Sequence, residues 1–557
     1  MGMEQKPEIK ILNSSNKYWE YKYDDFYVQV VKPNCNDITE IVNYGFMTPY
    51  FLVFEENKLS DQEAVDFAER SGLASIAELY GGTVVLVYPT CEGGWANAKE
   101  DFFPSVIAKS KIGQYYEDGL TRTRDRFTGD WGELFIRGAL NRTCVFGYGA
   151  SADFIAKNYL KVVEGEGFWG KCDIAPVTCI LERLSVVPQP ERIDMAVISV
   201  GNSDQINKAF EENVDHVLVT EKADYVKDFH FMKRYRRMVG HFEEEDDLEA
   251  LGLTVEPGYV EVETSPDNRG DDKDTKFHKI GYVAYYNKAG MQQRDGLPLV
   301  MCFHGGGDSA MQMVCLSGWH RVVAKHNFLL VSVENHMNST ATEAMEVIEH
   351  IKQKYNVNSE KIYATGFSMG GCKSWDLFQE YPTAFAAVAP MDATFEVGLN
   401  AYGQPVEEYN QETILPVFYV GGENTPLPEL PFQAQKCLER MAYVLRINQA
   451  NKQNHELFDA QDTWRNKIFG IDGDAVCRAA DEKTGSVLTM NLFESENGCC
   501  YSIFASASRQ QHEMRHLNCE NAWKFISMFS RKADGTLEGG KMEDVVRHMS
   551  EDADLNK

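Results

Sequence analysis

The sequence predicts an α/β protein built from parallel sheets flanked by helices, laid out twice along the chain. Three observations predict it. Short apolar runs alternate with amphipathic helical patterns, the signature of parallel strands joined by helical crossovers. One such run, Ile362–Ala364, leads into Gly366-Phe367-Ser368-Met369-Gly370, and Cys372–Glu380 beyond it reads as a helix. Finally, the order of strands, glycine turns and helices before about residue 255 is repeated after it.

The glycine-flanked serine sets the chemistry. A strand–turn–helix around G-x-S-x-G is a nucleophile elbow, in which the turn is so tight that a β-carbon two residues either side of the serine would clash. The serine is forced into a strained backbone conformation and its hydroxyl stands clear at the end of the sheet.

At 557 residues the chain is long enough for two or three domains with substantial cores. A hydrophobic content of 43% with 25% charged residues is that of an ordinary globular protein. The formal charge of −29 argues against a nucleic-acid partner. The dense cationic run, Lys233-Arg234-Tyr235-Arg236-Arg237, is followed by Glu243-Glu244-Glu245-Asp246-Asp247 and reads as a solvated helix face near a domain junction. Thirteen scattered cysteines, with no C-x-x-C pair and no zinc-like spacing, suggest neither a disulfide framework nor a metal site. Cys144, Cys179 and Cys302 lie in apolar runs and read as small core residues, and Cys499-Cys500 begins a strand. With no apolar leader in residues 1–25 and no membrane-length run, the expectation is a cytoplasmic protein in a reducing setting, with no membrane partner.

In the first half, Tyr50–Phe54 reads as a buried strand, Asp61–Tyr80 as a helix capped by Ser60 or Asp61 and stopped at Gly81-Gly82, and Thr83–Tyr88 as a strand. Thr143–Phe146 precedes Gly147-Tyr148-Gly149-Ala150-Ser151 and a helix to Leu160, and Ala175–Leu181 and Met195–Val200 are further strands. In the second half, Leu299–Phe303, Phe328–Val333, the run before Ser368, Ala386–Ala389 and Val417–Val420 are strands, with helices over Ser317–His326 and Thr340–Tyr355. Set side by side, Gly149 lies where Ser368 lies, and Glu55-Glu56-Asn57 lies where His304-Gly305-Gly306-Gly307 lies. The first copy therefore lacks a nucleophile and a glycine loop. Acidic residues 240–250 and the polar cluster Asp267–Asp274 put the junction near residue 255, giving a domain over 1–255 and another over 256–557.

Serine-mediated acyl transfer builds negative charge on a carbonyl oxygen, so backbone N–H groups must already point there. His304-Gly305-Gly306-Gly307, directly after a buried strand, lets backbone approach a substrate without side chains. The N–H of Met369 is the second expected donor. No Gly-Lys-Ser/Thr follows, which excludes a phosphate loop. The base should follow the last strand, Tyr501–Ala505, where the chain offers His512, with His516 as a rival. The acid should follow Val417–Val420, where Glu423 stands beside Asn424; Asp392, after the preceding strand, is the alternative. The insert at about 427–498, part helical (Pro431–Gln449) and carrying Trp464 and Phe469, is placed to cap the pocket.

V-M-C-F-H-G-G-G, then Y-N-V-N-S-E-K-I-Y-A-T-G-F-S-M-G-G, then Q-H-E before an aromatic closing helix, resemble the esterase and poly(3-hydroxybutyrate) depolymerase-like α/β-hydrolases, which include feruloyl esterases. The resemblance covers about residues 256–557. It implies an α/β-hydrolase fold there, Ser368 as nucleophile, Gly305, Gly306, Gly307 and Met369 as oxyanion donors, and His512 as base. The usual aspartate is absent at 423–425. Residues 1–255 would then be a degenerate, non-catalytic copy of the same fold. The expected function is a serine carboxylic-ester hydrolase acting on a small or medium ester with no metal or cofactor, and homo-oligomerisation is compatible with the sequence. A prolyl-oligopeptidase-type peptidase shares the elbow, but no propeller-length β-rich region precedes it. A binding or scaffolding protein on the same fold is the remaining alternative.

Overall fold

In a computed structural model of the chain, the described residues are 8–13, 15–22, 25–42, 47–107, 136, 138–167, 170–238, 241–270, 272–306, 308–334, 339–425, 435–451 and 473–551. The chain divides into two compact units at Asp247–Leu248.

The first unit is built on a sheet of β1 (Lys10–Ile11), β2 (Asn16–Lys22), β3 (Phe26–Pro33), β4 (Tyr50–Phe54), β5 (Val84–Pro89), β6 (Thr143–Tyr148), β7 (Thr178–Glu182), β8 (Ala196–Val200) and β9 (His216–Thr220). Its order is β1-β2-β3-β5-β4-β6-β7-β8-β9. Strands β4 and β8 are buried along their whole length, as near-continuous apolar runs covered by helices on both faces should be. The strands β2 and β3, which the sequence reading passed over, pair antiparallel with each other, and β3 pairs antiparallel with β5. From β5 onward the pairs are parallel.

The stretch expected as one helix over Asp61–Tyr80 is two, α1 (Asp61–Arg70) and α2 (Leu73–Tyr80). Gly72 breaks it with φ 79°, a conformation that an L side chain resists. Ser60 caps α1 and Glu63 returns the bond to the Ser60 backbone. The cationic run is not a helix face. Tyr235–Met238 pairs with His241–Glu244 as the hairpin β10–β11, and the acidic run that follows supplies its counter-charges, Glu244 to Arg234 and Glu245 to Arg236 and Arg142. A cationic block followed across a turn by an acidic one suits a two-stranded ribbon, where cross-strand neighbours pair.

The second unit contains β12 (Thr254–Glu263), β13 (Phe277–Tyr286), β14 (Leu297–Phe303), β15 (Leu329–Val333), β16 (Val357–Phe367), β17 (Ala387–Met391), β18 (Val417–Gly422), β19 (Ala475–Asp481), β20 (Ser486–Glu494) and β21 (Cys500–Ala507). Their order is β12-β13-β15-β14-β16-β17-β18-β21-β20-β19. Strand β13 is antiparallel to both neighbours, and β15 through β21 pair in parallel. This is the α/β-hydrolase fold. The first unit's β2-β3-β5-β4-β6-β7-β8-β9 follows the same order with the same antiparallel second strand.

The helix expected over Ser317–His326 is α4 (Trp319–His326); a separate helix, α3 (Ala310–Ser317), precedes it, parted from it by Gly318 at φ 78°. The helices that frame the site are α5 (Ala341–Lys354), α6 (Met369–Glu380), α7 (Gln435–Ile447) and α8 (His516–Ile526). Much of the described insert is not a cap: β19 and β20 add an antiparallel hairpin beside β21 and extend the sheet at its edge. Trp464, Phe469 and Pro431 lie outside the described residues. Among those described, no helix is long and apolar enough to cross a membrane.

Candidate active site

Strand β16 ends at Phe367, and α6 starts at Met369. Between them Ser368 is held at φ 53°, ψ −118°, a region that non-glycine residues enter only under constraint. Two close approaches create the constraint. A β-carbon on Gly370 would lie 2.0 Å from the Phe303 carbonyl oxygen, and one on Gly366 would lie 2.2 Å from the Gly370 carbonyl oxygen. Only glycine fits at either place, so helix and strand ends close together with the serine at the apex. The Ser368 N–H donates to the Met391 carbonyl at 3.0 Å, tying the turn to β17.

His512 lies in the loop between β21 and α8. Its Nε2 is 2.9 Å from Ser368 Oγ and its Nδ1 is 3.0 Å from Asp392 Oδ2. Phe367 backs the imidazole, with ring centroids 4.6 Å apart. Asp392 follows β17 directly, at φ 45°, and its N–H donates to the Val420 carbonyl at 2.7 Å. Its side chain is buried. Burial pushes the Asp392 carboxyl above the usual range, and contact with the His512 ring opposes that.

The carboxylate beside His512 is therefore Asp392 and not Glu423, where the sequence places the acid. Glu423 follows β18, but its carboxylate accepts from the Arg509 N–H at 3.3 Å and its own N–H donates to the Ala507 carbonyl. The Gly421-Gly422 pair preceding it has another task. A β-carbon on Gly422 would sit 2.1 Å from the Gln511 carbonyl oxygen, so this glycine seats the loop that carries His512. His516 is the first residue of α8, packed on the Gly318 turn, where burial lowers its basicity.

Gly305 and Gly306 follow β14, and a β-carbon on Gly305 would lie 3.0 Å from the Phe367 ring. The glycine loop thus approaches the residue beside Ser368; Gly307 lies outside the described residues. Met369 opens α6, so its N–H has no acceptor within the helix. Helix α7 stands behind the acid: Arg440 bonds Thr394 and Glu396 on the chain leaving Asp392. With Trp375, Phe395 and Tyr419 it lines a small apolar hollow of about 20 Å³.

The first unit repeats the backbone of this site without its side chains. Gly149, between β6 and the helix Ala150–Asn158, sits at φ 58°, ψ −123°, close to Ser368. Its N–H donates to the Glu182 carbonyl at 2.9 Å, as Ser368 donates to Met391. By strand register Arg183 stands where Asp392 stands, and it too has positive φ, 55°. Four residues, Glu221-Lys222-Ala223-Asp224, connect β9 to the next helix, and none is a histidine. The Ala150 N–H, counterpart of Met369, points to the Glu56 carboxylate at 3.4 Å.

No family model matches the chain. A stretch of 136 residues, 23% of the chain, is 22% identical to a bifunctional acetylxylan esterase/xylanase of Neocallimastix patriciarum, and it spans 19% of that relative's length. Among solved structures, an acetyl xylan esterase from Aspergillus awamori aligns over 48% of this chain and 99% of its own, at 11% identity and a TM-score of 0.31. A mutant feruloyl esterase module from Clostridium thermocellum complexed with sinapinate aligns over 47% and 83%, at 12% identity and a TM-score of 0.28. S-formylglutathione hydrolase from Staphylococcus aureus aligns over 35% and 85%, at 15% identity and a TM-score of 0.24.

Proposed function

We propose that the chain is a serine carboxylic-ester hydrolase whose chemistry belongs to the second unit. The observation that carries the reading is His512, hydrogen-bonded through one nitrogen to Ser368 and through the other to Asp392. In this reading the Asp392 carboxylate fixes the imidazole with its proton on Nδ1, leaving Nε2 free to take the Ser368 proton. Ser368 Oγ attacks the acyl carbon, and charge on the carbonyl oxygen is met by N–H groups of the glycine loop and Met369. His512 then protonates the departing alkoxide. Water, deprotonated by the same nitrogen, releases the acid from the acyl-enzyme.

The first unit is non-catalytic in this reading, since Gly149 has no nucleophile, Arg183 replaces the acid and the 221–224 loop offers no base. The curated relative's designation as an acetylxylan esterase puts acetyl esters first among substrates to assay. Ser368→Ala tests the nucleophile on p-nitrophenyl acetate: kcat/KM should fall by at least ~10⁴-fold. Retention of full activity would rule it out.

A further inference from the structure

His304 is the residue before the glycine loop, and it is buried rather than presented to substrate. Its Nδ1 is 2.8 Å from the carbonyl oxygen of Gly305, which also accepts the Asp308 N–H at 3.2 Å. Its Nε2 faces Glu334 Oε2 at 3.5 Å. Glu334 follows β15 with its side chain 1% exposed, and its other oxygen accepts the Ala310 N–H at 2.9 Å, where α3 begins. Its backbone N–H is held by the Gly281 carbonyl at 2.8 Å. Glu334 is thus held by its backbone and by one carboxylate oxygen, and the His304 ring lies between its other oxygen and the Gly305 carbonyl.

We propose that Glu334 is a positioning residue for ester hydrolysis, acting through His304 to hold the Gly305–Gly306 peptide with its N–H turned to the developing oxyanion. The proposal rests on the ester-hydrolase reading above. In a trans peptide the carbonyl and the following N–H point in opposite directions, and no described peptide bond is cis. Anchoring the Gly305 oxygen inward therefore aims the Gly306 N–H outward. Against the Glu334 carboxylate the clamp needs a proton on both ring nitrogens, because each faces an oxygen acceptor. A neutral ring could satisfy one acceptor and would turn a lone pair on the other. Burial alone would favour the neutral ring; Glu334, with Asp308 as the second carboxylate bearing on it, reverses this and raises the His304 pKa above the ordinary value.

The first unit supplies an internal control. By strand register Glu55 stands where His304 stands and Tyr88 where Glu334 stands, with Tyr88 bonded to Gln29 instead. That sheet closes its β4 and β5 ends without the pair, so the fold does not require it. The unit lacking the nucleophile, acid and base also lacks both members of the clamp.

Because the His304 pKa is raised, the charged clamp is present at low pH and is lost as pH rises through its folded value, giving an alkaline limb to kcat. The test is the kcat–pH profile on p-nitrophenyl acetate, together with ¹⁵N shifts of the His304 ring. Glu334→Ala should lower kcat roughly 10- to 100-fold with KM within about 3-fold, erase the alkaline limb, and leave the ring neutral at pH 7.5. Glu334→Gln keeps an acceptor for the Ala310 N–H, and its NH2 then donates to Nε2 of a neutral ring whose Nδ1–H still meets the Gly305 carbonyl at every pH. This variant should retain most of the wild-type kcat while losing the limb, a pattern that simple loss of packing would not give. If Glu334→Ala fails to fold, the Glu334→Gln profile decides alone. An active wild type with kcat and alkaline limb unchanged in both variants would overturn the proposal and leave the hydrolase reading standing. A wild type inert toward all esters, with no labelling of Ser368, would overturn both.

Discussion

Ser368 and Gly149 occupy the same turn of the same fold, at nearly the same backbone angles, and only one carries a side chain. The comparison teaches that the elbow is a property of packing. Strand, turn and helix impose the positive φ whether or not a hydroxyl is present. What differs is everything that would use the apex. Around Ser368 stand His512, Asp392 and a helix-first N–H; around Gly149 stand Arg183, a four-residue loop without histidine, and the Glu56 carboxylate on the matching N–H. A single lost group could be drift; here each part of the apparatus is replaced.

The acid assignment sharpens the comparison most after the nucleophile itself. Asp392→Asn should lower kcat by about 10³- to 10⁴-fold, because the amide no longer holds the imidazole in the required tautomer. Glu423→Gln should change kcat less than about 3-fold, since that carboxylate meets the Arg509 backbone. Steady-state kinetics on one ester separate the two, and the reverse ranking would return the acid to the strand after next.

That correction shows where the sequence was readable. The elbow was legible because glycine spacing, strand and helix all bear on one position, and the duplication was legible because buried strands are continuous apolar runs. The placement of His512 beside Ser368 was legible from chain order. Which carboxylate meets His512 was not, because two adjacent strands are each followed by one and the choice depends on where each backbone turns. The one available signal was subtle: Asp tolerates positive φ better than Glu, and Asp392 is the carboxylate with positive φ. Strand β2 was hard to read because Asn16–Lys22 mixes polar and aromatic residues without clean alternation. The cationic run was misread because its partners follow across a turn, and a charge run alone does not tell a helix face from a hairpin.

The residue after β4, Glu55, and the residue after β14, His304, carry opposite charge types, yet both hold their proton more tightly in the fold. Burial pushes the Glu55 carboxyl up to about 7. Its folded pKa exceeds its unfolded one, so the proton is held more tightly in the fold, and stability falls as pH rises from about 4.5 through 7. Glu55→Gln should therefore stabilise the first unit by on the order of 1–3 kcal/mol at pH 8 and little at pH 4.5. Hydrogen exchange of β4 and β6 amides reads this unit by itself; equal protection at both pH values would contradict it.

The smallest effects are a mirrored pair. Ser368→Gly relieves a strained φ and should stabilise the second unit by about 1 kcal/mol. Gly149→Ala introduces the same strain and sets a β-carbon 2.8 Å from Glu56 Oε1, costing roughly 1–2 kcal/mol. Denaturant unfolding followed by exchange in each sheet measures both. Shifts of the same sign would mean that the two turns are not equivalent.

Central to the account is that one elbow of two holds an activated nucleophile. The most direct measurement is fluorophosphonate labelling of the intact chain, with the modified residue located by mass spectrometry. One adduct is expected, on Ser368, lost in Ser368→Ala and strongly slowed in Asp392→Asn. An adduct in the first unit, or undiminished labelling of Ser368→Ala, would contradict it.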